Sequence, residues 1–294
     1  MQNKISMFDY NCDWAMRDCN IEPRPSPGYL TREEVIQFYG TLGIDGVDIR
    51  DCYWGDCSVA QIKTMLDDNG LKIVSYENDV DLALPSPVER GKAVDKVKSL
   101  LDRTAELGAG LFMLFPGCVK EGIPTEELKK HMIEGLAACA AHARSIGVTI
   151  GFENIDYEPW RPLHGTSAQC REIIEQVDSP ALRFILDACA ALFVDEHPVE
   201  MLKALAPYIV HAHLKNSRPV MPGEKVQRTR PTESGVTLTG TVLDGGLVEI
   251  PAVLDELKKI GYDGYLMIEF QGEVDPRPAL KYNLEYLRKQ MEGR

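Results

Sequence analysis

Four side chains in this sequence share one setting. Glu153 follows Val148-Thr149-Ile150-Gly151-Phe152, and Asp187 follows Arg183-Phe184-Ile185-Leu186. His213 follows Ile209-Val210-His211-Ala212, and Glu269 follows Tyr265-Leu266-Met267-Ile268. Each stretch reads as a short buried strand ending on a group that can donate an electron pair to a cation. An unpaired carboxylate in apolar surroundings is costly, and a cation beside it offsets that cost. Singly, a strand-end carboxylate is a solvated loop residue and a strand histidine is a hydrogen-bonded core residue. At equivalent positions on four successive strands, the four predict one metal site. Glu153, Asp187, His213 and Glu269 make a mostly hard-oxygen donor set with one imidazole. That set suits Mn²⁺ first, with Mg²⁺, Co²⁺ or Zn²⁺ as alternatives. Four protein donors leave room for a sugar diol or hydroxy-ketone. The ion would polarise a carbonyl and stabilise the enediolate left when the adjacent carbon loses its proton. Carboxylates on either side of the substrate would take and return that proton. His211 and His213 are two residues apart and so share one strand face. Cys189, two residues past Asp187, is read as a small core residue rather than a soft ligand.

Short apolar strands alternate with amphipathic helices along the whole chain. Strands are predicted at 4–8, 46–50, 71–76, 110–115, 148–154, 183–187, 209–213 and 265–269. Helices are predicted at 31–42, 58–69, 86–107, 125–146, 167–177, 199–206, 250–260 and 277–291. Thr31 with Glu34 forms a capping box. Ser86-Pro87 opens the third helix with a cap and a first-turn proline, and Thr125 is the expected cap of the fourth. Strands each followed by a helix imply parallel pairing with right-handed crossovers. Eight such units predict a closed (β/α)8 TIM barrel, a single domain over 1–294, with its site at the C-terminal ends of the strands. An open doubly wound sheet is the runner-up. No Gly-x-Gly-x-x-Gly follows any strand, which leaves dinucleotide binding without support.

Thirty-two basic residues against 45 acidic ones give the 294-residue chain a net charge of −13. That charge argues against non-specific binding to nucleic acid or anionic membrane. No apolar run approaches the ~20 residues of a membrane span, and the first residues carry no apolar signal region. The eight cysteines form no Cys-x-x-Cys pair and read as reduced thiols. The expected setting is cytoplasmic.

The stretches Gly151-Phe152-Glu153-Asn154, Leu186-Asp187, His211-Ala212-His213-Leu214-Lys215-Asn216 and Gly261-Tyr262-Asp263-Gly264-Tyr265-Leu266-Met267-Ile268-Glu269 resemble the sugar phosphate isomerase/epimerase superfamily. This is the xylose isomerase-like barrel group, which includes ketose 3-epimerases, hydroxypyruvate isomerase and inosose dehydratase. The resemblance covers essentially the whole chain. It implies that Glu153, Asp187, His213 and Glu269 bind one divalent ion, and that Glu153 and Glu269 are the catalytic acid/base pair. It also implies a homo-oligomer, a dimer or tetramer. Two departures stand out. Ala190 takes the place where ketose 3-epimerases and the endonuclease IV branch usually carry a histidine. Phe115-Pro116-Gly117 replaces the endonuclease His-Pro-Gly, which removes ligands for a three-zinc cluster.

The loops over the site add substrate candidates. Between 155 and 165, Trp160 can stack on a sugar face, while Glu158, Arg161 and His164 can meet hydroxyls. The last long loop is 216–248, and residues 215–230 at its start hold Lys215, Arg218, Lys225, Arg228 and Arg230 against Glu224 alone. A basic lid suggests an anionic substrate group, with a solvated or subunit-bridging loop as the ordinary alternative. Arg218 best matches a substrate-contacting arginine of the family, followed by Lys215. Glu77 and Trp14 fall near strand tips and are expected to line the pocket. The reading is a metal-dependent isomerase or epimerase of carbohydrate metabolism, acting on a sugar, keto-polyol or sugar acid. The alternative is a metal-dependent lyase or dehydratase, inosose-dehydratase-like or β-eliminating on an oxidised sugar or glycoside.

Overall fold

The apolar stretches that end on candidate ligands do become strands, and they close into one ring. The computed structural model describes residues 3–16, 28–154 and 163–292. In chain order the strands are β1 (Ile5–Phe8), β2 (Gly46–Arg50), β3 (Lys72–Asp79), β4 (Leu111–Phe115), β5 (Thr149–Glu153), β6 (Leu182–Asp187) and β7 (Ile209–Leu214). Then come β8 (Asn216–Pro219), β9 (Arg230–Pro231), β10 (Thr237–Thr241) and β11 (Leu266–Ile268). The barrel order is β1-β11-β7-β6-β5-β4-β3-β2, closed by parallel pairing of β1 with β2. This is a (β/α)8 barrel; the open doubly wound alternative is excluded.

Helices end where the sequence predicts, within a residue or two. Thr31–Glu34, Ser58–Gln61 and Thr166–Gln169 each form a capping box. Thr125 does not cap its helix. Pro124 holds the N-cap position without a side-chain bond, so Thr125 is already helical. A second difference concerns β3, which runs past Tyr76 to Asp79 and carries Glu77 to the barrel mouth. A third concerns the long loop. Alternate β-branched residues Thr237, Thr239 and Thr241 favour a strand there, and β10 pairs antiparallel with both β8 and β9. The lid is thus a small sheet rather than an irregular loop.

The main apolar core lies between strands and helices. A separate cluster, Phe8, Leu111, Met113, Ile185 and Met267, fills the barrel interior. Ile185 and Met267 stand two residues before Asp187 and Glu269 and share their facing. The apolar plug therefore lies one layer below the candidate ligands. No helix among the described residues is long and apolar enough to cross a membrane.

Candidate metal centre

Three of the four predicted ligands converge. Among the described residues, the donor atoms of Glu153, His213 and Glu269 lie within 4.8 Å of one another, and all three residues are buried. His213 Nδ1 is 3.1 Å from Glu153 Oε1 and 3.5 Å from Glu269 Oε2. Its Nε2 has no hydrogen-bond partner. Burial alone would depress the His213 pKa, but the Glu153 and Glu269 carboxylates outweigh it and hold the ring well above its usual range. Burial raises Glu269, while Lys215 and then His213 pull it down, leaving it below the usual carboxylate range. The cup thus favours positive charge at its centre. Two carboxylates and an imidazole, buried together, fit a hard divalent ion.

Asp187 stands beside this triad. Its Oδ1 accepts from the backbone amides of Cys189 and Ala190, at 2.8 and 3.2 Å. Its Oδ2 pairs with Lys215 Nζ, which also lies 3.4 Å from Glu269 Oε1. Lys215 therefore bridges Asp187 to the triad from inside the cavity. Asn154 locks the two strand tips together: its side chain exchanges hydrogen bonds with the Asp187 backbone, both 3.3 Å. Cys189 turns its thiol to Ser217 Oγ at 3.2 Å, in keeping with a packed core residue.

Other predicted residues lie elsewhere. Arg218 makes a two-pronged ion pair with Glu224, 2.9 and 2.5 Å, and does not line the cavity. His164 is fully buried edge-on to Phe152, ring centroids 5.6 Å apart, and is also absent from the cavity wall. Burial depresses its pKa to about 4 against the pull of the Glu153 backbone. Glu158, Trp160 and Arg161 lie outside the described residues.

A cavity of about 340 Å³ opens above the triad, a size suited to a small ligand. Glu153, Glu269 and Lys215 form one side, and Arg50, Glu77 and Asp79 contribute another. Glu77 at the pocket was anticipated. Arg230 was anticipated as part of the basic lid; Arg50, Asp79 and Gln271 were not, although Gln271 donates to Glu269 Oε1 at 2.7 Å. Gln271 lies two residues beyond a candidate ligand, and that spacing was the available signal. Trp14 does not line the cavity. It stacks under Arg228, 4.1 Å from guanidinium carbon to ring centroid, and Arg228 also pairs with Asp13.

One layer down, Asp48 Oδ1 lies 3.1 Å from His211 Nε2. Asp48 accepts from Ser6 Oγ and Ser75 Oγ at 2.6 and 2.7 Å. Burial raises the Asp48 pKa, but His211 and the two hydroxyls more than reverse that and hold it low. The His211 ring meets His213 edge to face, 5.2 Å between centroids.

A closed parallel barrel with a buried Glu-His-Glu cluster at its C-terminal mouth defines the class: a TIM barrel with a candidate metal centre. The chain belongs to the xylose isomerase-like TIM barrel family, whose model matches residues 36–290. It is similar to an inosose dehydratase of Geobacillus thermodenitrificans, 24% identical over 98% of this chain and 95% of that one. It is 29% identical to an inosose dehydratase of Clostridium botulinum over 42% of this chain, and the match spans 41% of that relative's length. Among solved structures, an L-ribulose 3-epimerase aligns with TM-score 0.76 and 17% identity, over 99% of this chain and 95% of its own. A probable 3-DHS dehydratase from Bacillus anthracis gives 0.73 and 18%, over 97% and 98%. A Mycobacterium smegmatis barrel of this type in complex with magnesium gives 0.72 and 20%, over 98% and 96%. At these identities the structural matches show the shared fold.

Proposed function

We propose that this chain is a divalent-metal-dependent enzyme that isomerises or epimerises a small keto-sugar or polyol derivative. The observation that carries this reading is the placement of Glu153 and Glu269. Their carboxylates flank His213 in a buried cup, yet they arrive on strands separated in the barrel by β6 and β7. Two carboxylates reaching one cavity from different sides suit removal of a proton by one and its return by the other. When bound, the metal supplies a Lewis acid that polarises the substrate carbonyl. Glu153, His213 and Glu269 would hold it, with Asp187 completing the set from the Lys215 side. Lys215, inside the cavity, supplies a cation to a substrate oxygen. Gln271 fixes the orientation of the Glu269 carboxylate.

A dehydratase outcome on the same residues is the second reading. It is favoured by the inosose dehydratase that matches nearly the whole chain. The two part after the same proton abstraction: one returns the proton, the other expels water.

The Mn²⁺-loaded protein is tested on keto-hexoses and ketocyclitols in D₂O. Deuterium incorporation with retention of all substrate oxygens supports the isomerase, and loss of water supports the dehydratase. Glu153→Gln and Glu269→Gln should each lower the exchange rate by about 10²–10⁴-fold. EDTA should abolish exchange and Mn²⁺ should restore it. An exchange rate indifferent to EDTA and to both substitutions sinks the proposal.

A further inference from the structure

The cavity wall facing the metal cup has its own built polar group. In the eight-strand ring β3 lies four places from β7, and β2 four places from β6. Glu77 on β3 is thus diametrically opposite His213, and Arg50 on β2 is opposite Asp187. Glu77 is 1% exposed and lines the cavity, and neither carboxylate oxygen has a hydrogen-bond donor. Arg50 Nε sits 2.8 Å from Glu77 Oε1, near enough to hold it by charge but out of line for a hydrogen bond. Arg50 is itself fixed. Its Nη2 donates to Asp79 Oδ2 at 2.8 Å, and its guanidinium lies over the Tyr10 ring, 5.4 Å from the centroid.

A buried carboxyl without a donor is costly to the fold. Such groups in folded proteins call for a partner. Arg50 alone leaves both Glu77 oxygens without a donor, and Glu77 stands in the cavity wall. Burial lifts the Glu77 pKa well above the carboxylate range, Arg50 opposes that, and Asp79, Glu153 and Asp9 add to it. As an anion it accepts from a hydroxyl, and as an acid it can also donate to one. Either way it matches a neutral alcohol.

The cations of the lid do not alter this wall. Arg218 is spent on Glu224 and Arg228 on Asp13 and Trp14. Lys215 and Arg230 both line the cavity, Lys215 against Asp187 and Glu269 and Arg230 acting on the Glu269 charge, on the metal side. An anionic group at the far end would meet Glu77 and Asp79 with Arg50 already engaged. The anionic substrate suggested by the basic run at 215–230 therefore finds no seat there.

We infer that Glu77, aimed by Arg50, is the specificity residue that binds a neutral hydroxyl at the substrate end remote from the metal and disfavours a phosphate or carboxylate there. This rests on the keto-sugar reading, in which the carbonyl end faces the cup. Calorimetric titration of the Mn²⁺-loaded protein with D-fructose, D-fructose 6-phosphate and 2-keto-myo-inositol tests it. Wild type should bind D-fructose at least tenfold more tightly than its 6-phosphate. Glu77→Gln should weaken D-fructose at least tenfold and shrink that preference, with Mn²⁺ affinity unchanged. Glu77→Asp keeps the charge beside Arg50 but withdraws the oxygens from the cavity. It should weaken D-fructose likewise, and it serves if the glutamine variant does not fold. Wild-type affinity for D-fructose in both variants, or a wild-type preference for the phosphate, overturns this inference alone. Mn²⁺ binding without affinity for either unphosphorylated probe overturns it together with the keto-sugar reading. Loss of Mn²⁺ and sugar together in both variants makes Glu77 structural and also overturns it.

Discussion

Asp48 shows what a single residue can do for the site without entering it. It lies in the middle of Gly46-Val47-Asp48-Ile49-Arg50, a stretch otherwise fit for a buried strand, and it is fully buried. Two serine hydroxyls and the His211 ring answer its charge. His211 in turn meets His213 edge to face, so the candidate ligand ring rests on a buried carboxylate–imidazole contact. Removing Asp48 leaves the buried His211 ring and two serine hydroxyls without their partner, at a cost of about 1–3 kcal/mol. Asp48→Ala should therefore lower unfolding stability by that amount in urea titration. It should also weaken Mn²⁺ binding by freeing the His211 and His213 rings. A loss under 1 kcal/mol would show that the pair is not a support for the centre.

At the scale of the strand, β5 brings Glu153 to the mouth only because Gly151 precedes it on the same face. A Cβ at Gly151 would lie 2.7 Å from Ile185 Cδ1 and Cγ1 and 3.0 Å from Leu111 Cδ1. Ile185 and Leu111 belong to the apolar plug and have little space to yield. Overpacking of this kind costs typically ~1–3 kcal/mol. Gly151→Ala should show that loss, and the double variant Gly151→Ala with Ile185→Val should recover part of it, since the two sites touch. Additive losses in denaturant titration would place the strain elsewhere. Much of the strand pattern was legible beforehand, because strand-end ligands and two-residue facing are local properties of the chain. The triad followed from that, as did the barrel. The small sheet of β8, β9 and β10 was not legible, since its pairing is non-local and its stretch is polar. The extension of β3 to Asp79 escaped for a similar reason: Glu77, Asn78 and Asp79 look like loop residues until Arg50 on the neighbouring strand answers two of them. The basic run at 215–230 was legible but its pairing was not: Arg218 closes on Glu224, six residues away, and Arg228 on Asp13, 215 residues away, while Lys215 and Arg230 reach the cavity.

For the molecule as a whole, the same concentration of acid groups near the mouth should appear in the pH dependence of folding. Asp9 follows β1 and is fully buried, accepting from the Arg50 amide at 3.0 Å and Trp54 Nε1 at 2.6 Å through one oxygen. Its other oxygen has no hydrogen-bond partner. Burial raises its pKa from 3.8 to about 7, against the opposing pull of the Arg50 amide and Trp54. A carboxyl raised on folding binds more protons in the folded chain than in the unfolded one. Its contribution is therefore full below pH 3.8 and is lost as pH climbs through about 7. The span corresponds to a ceiling on the order of 4 kcal/mol. Asp9→Asn keeps an acceptor for both donors and removes the titration. The stability difference between variant and wild type should then shift in favour of the variant as pH rises from about 4 to about 7, and level off above. Paired thermal melts across that range, with Mn²⁺ held constant, read the difference directly. A gap that stays flat, or that opens toward the wild type, would mean that Asp9 stays ionised in the folded protein and that Arg50 serves it as well as Glu77.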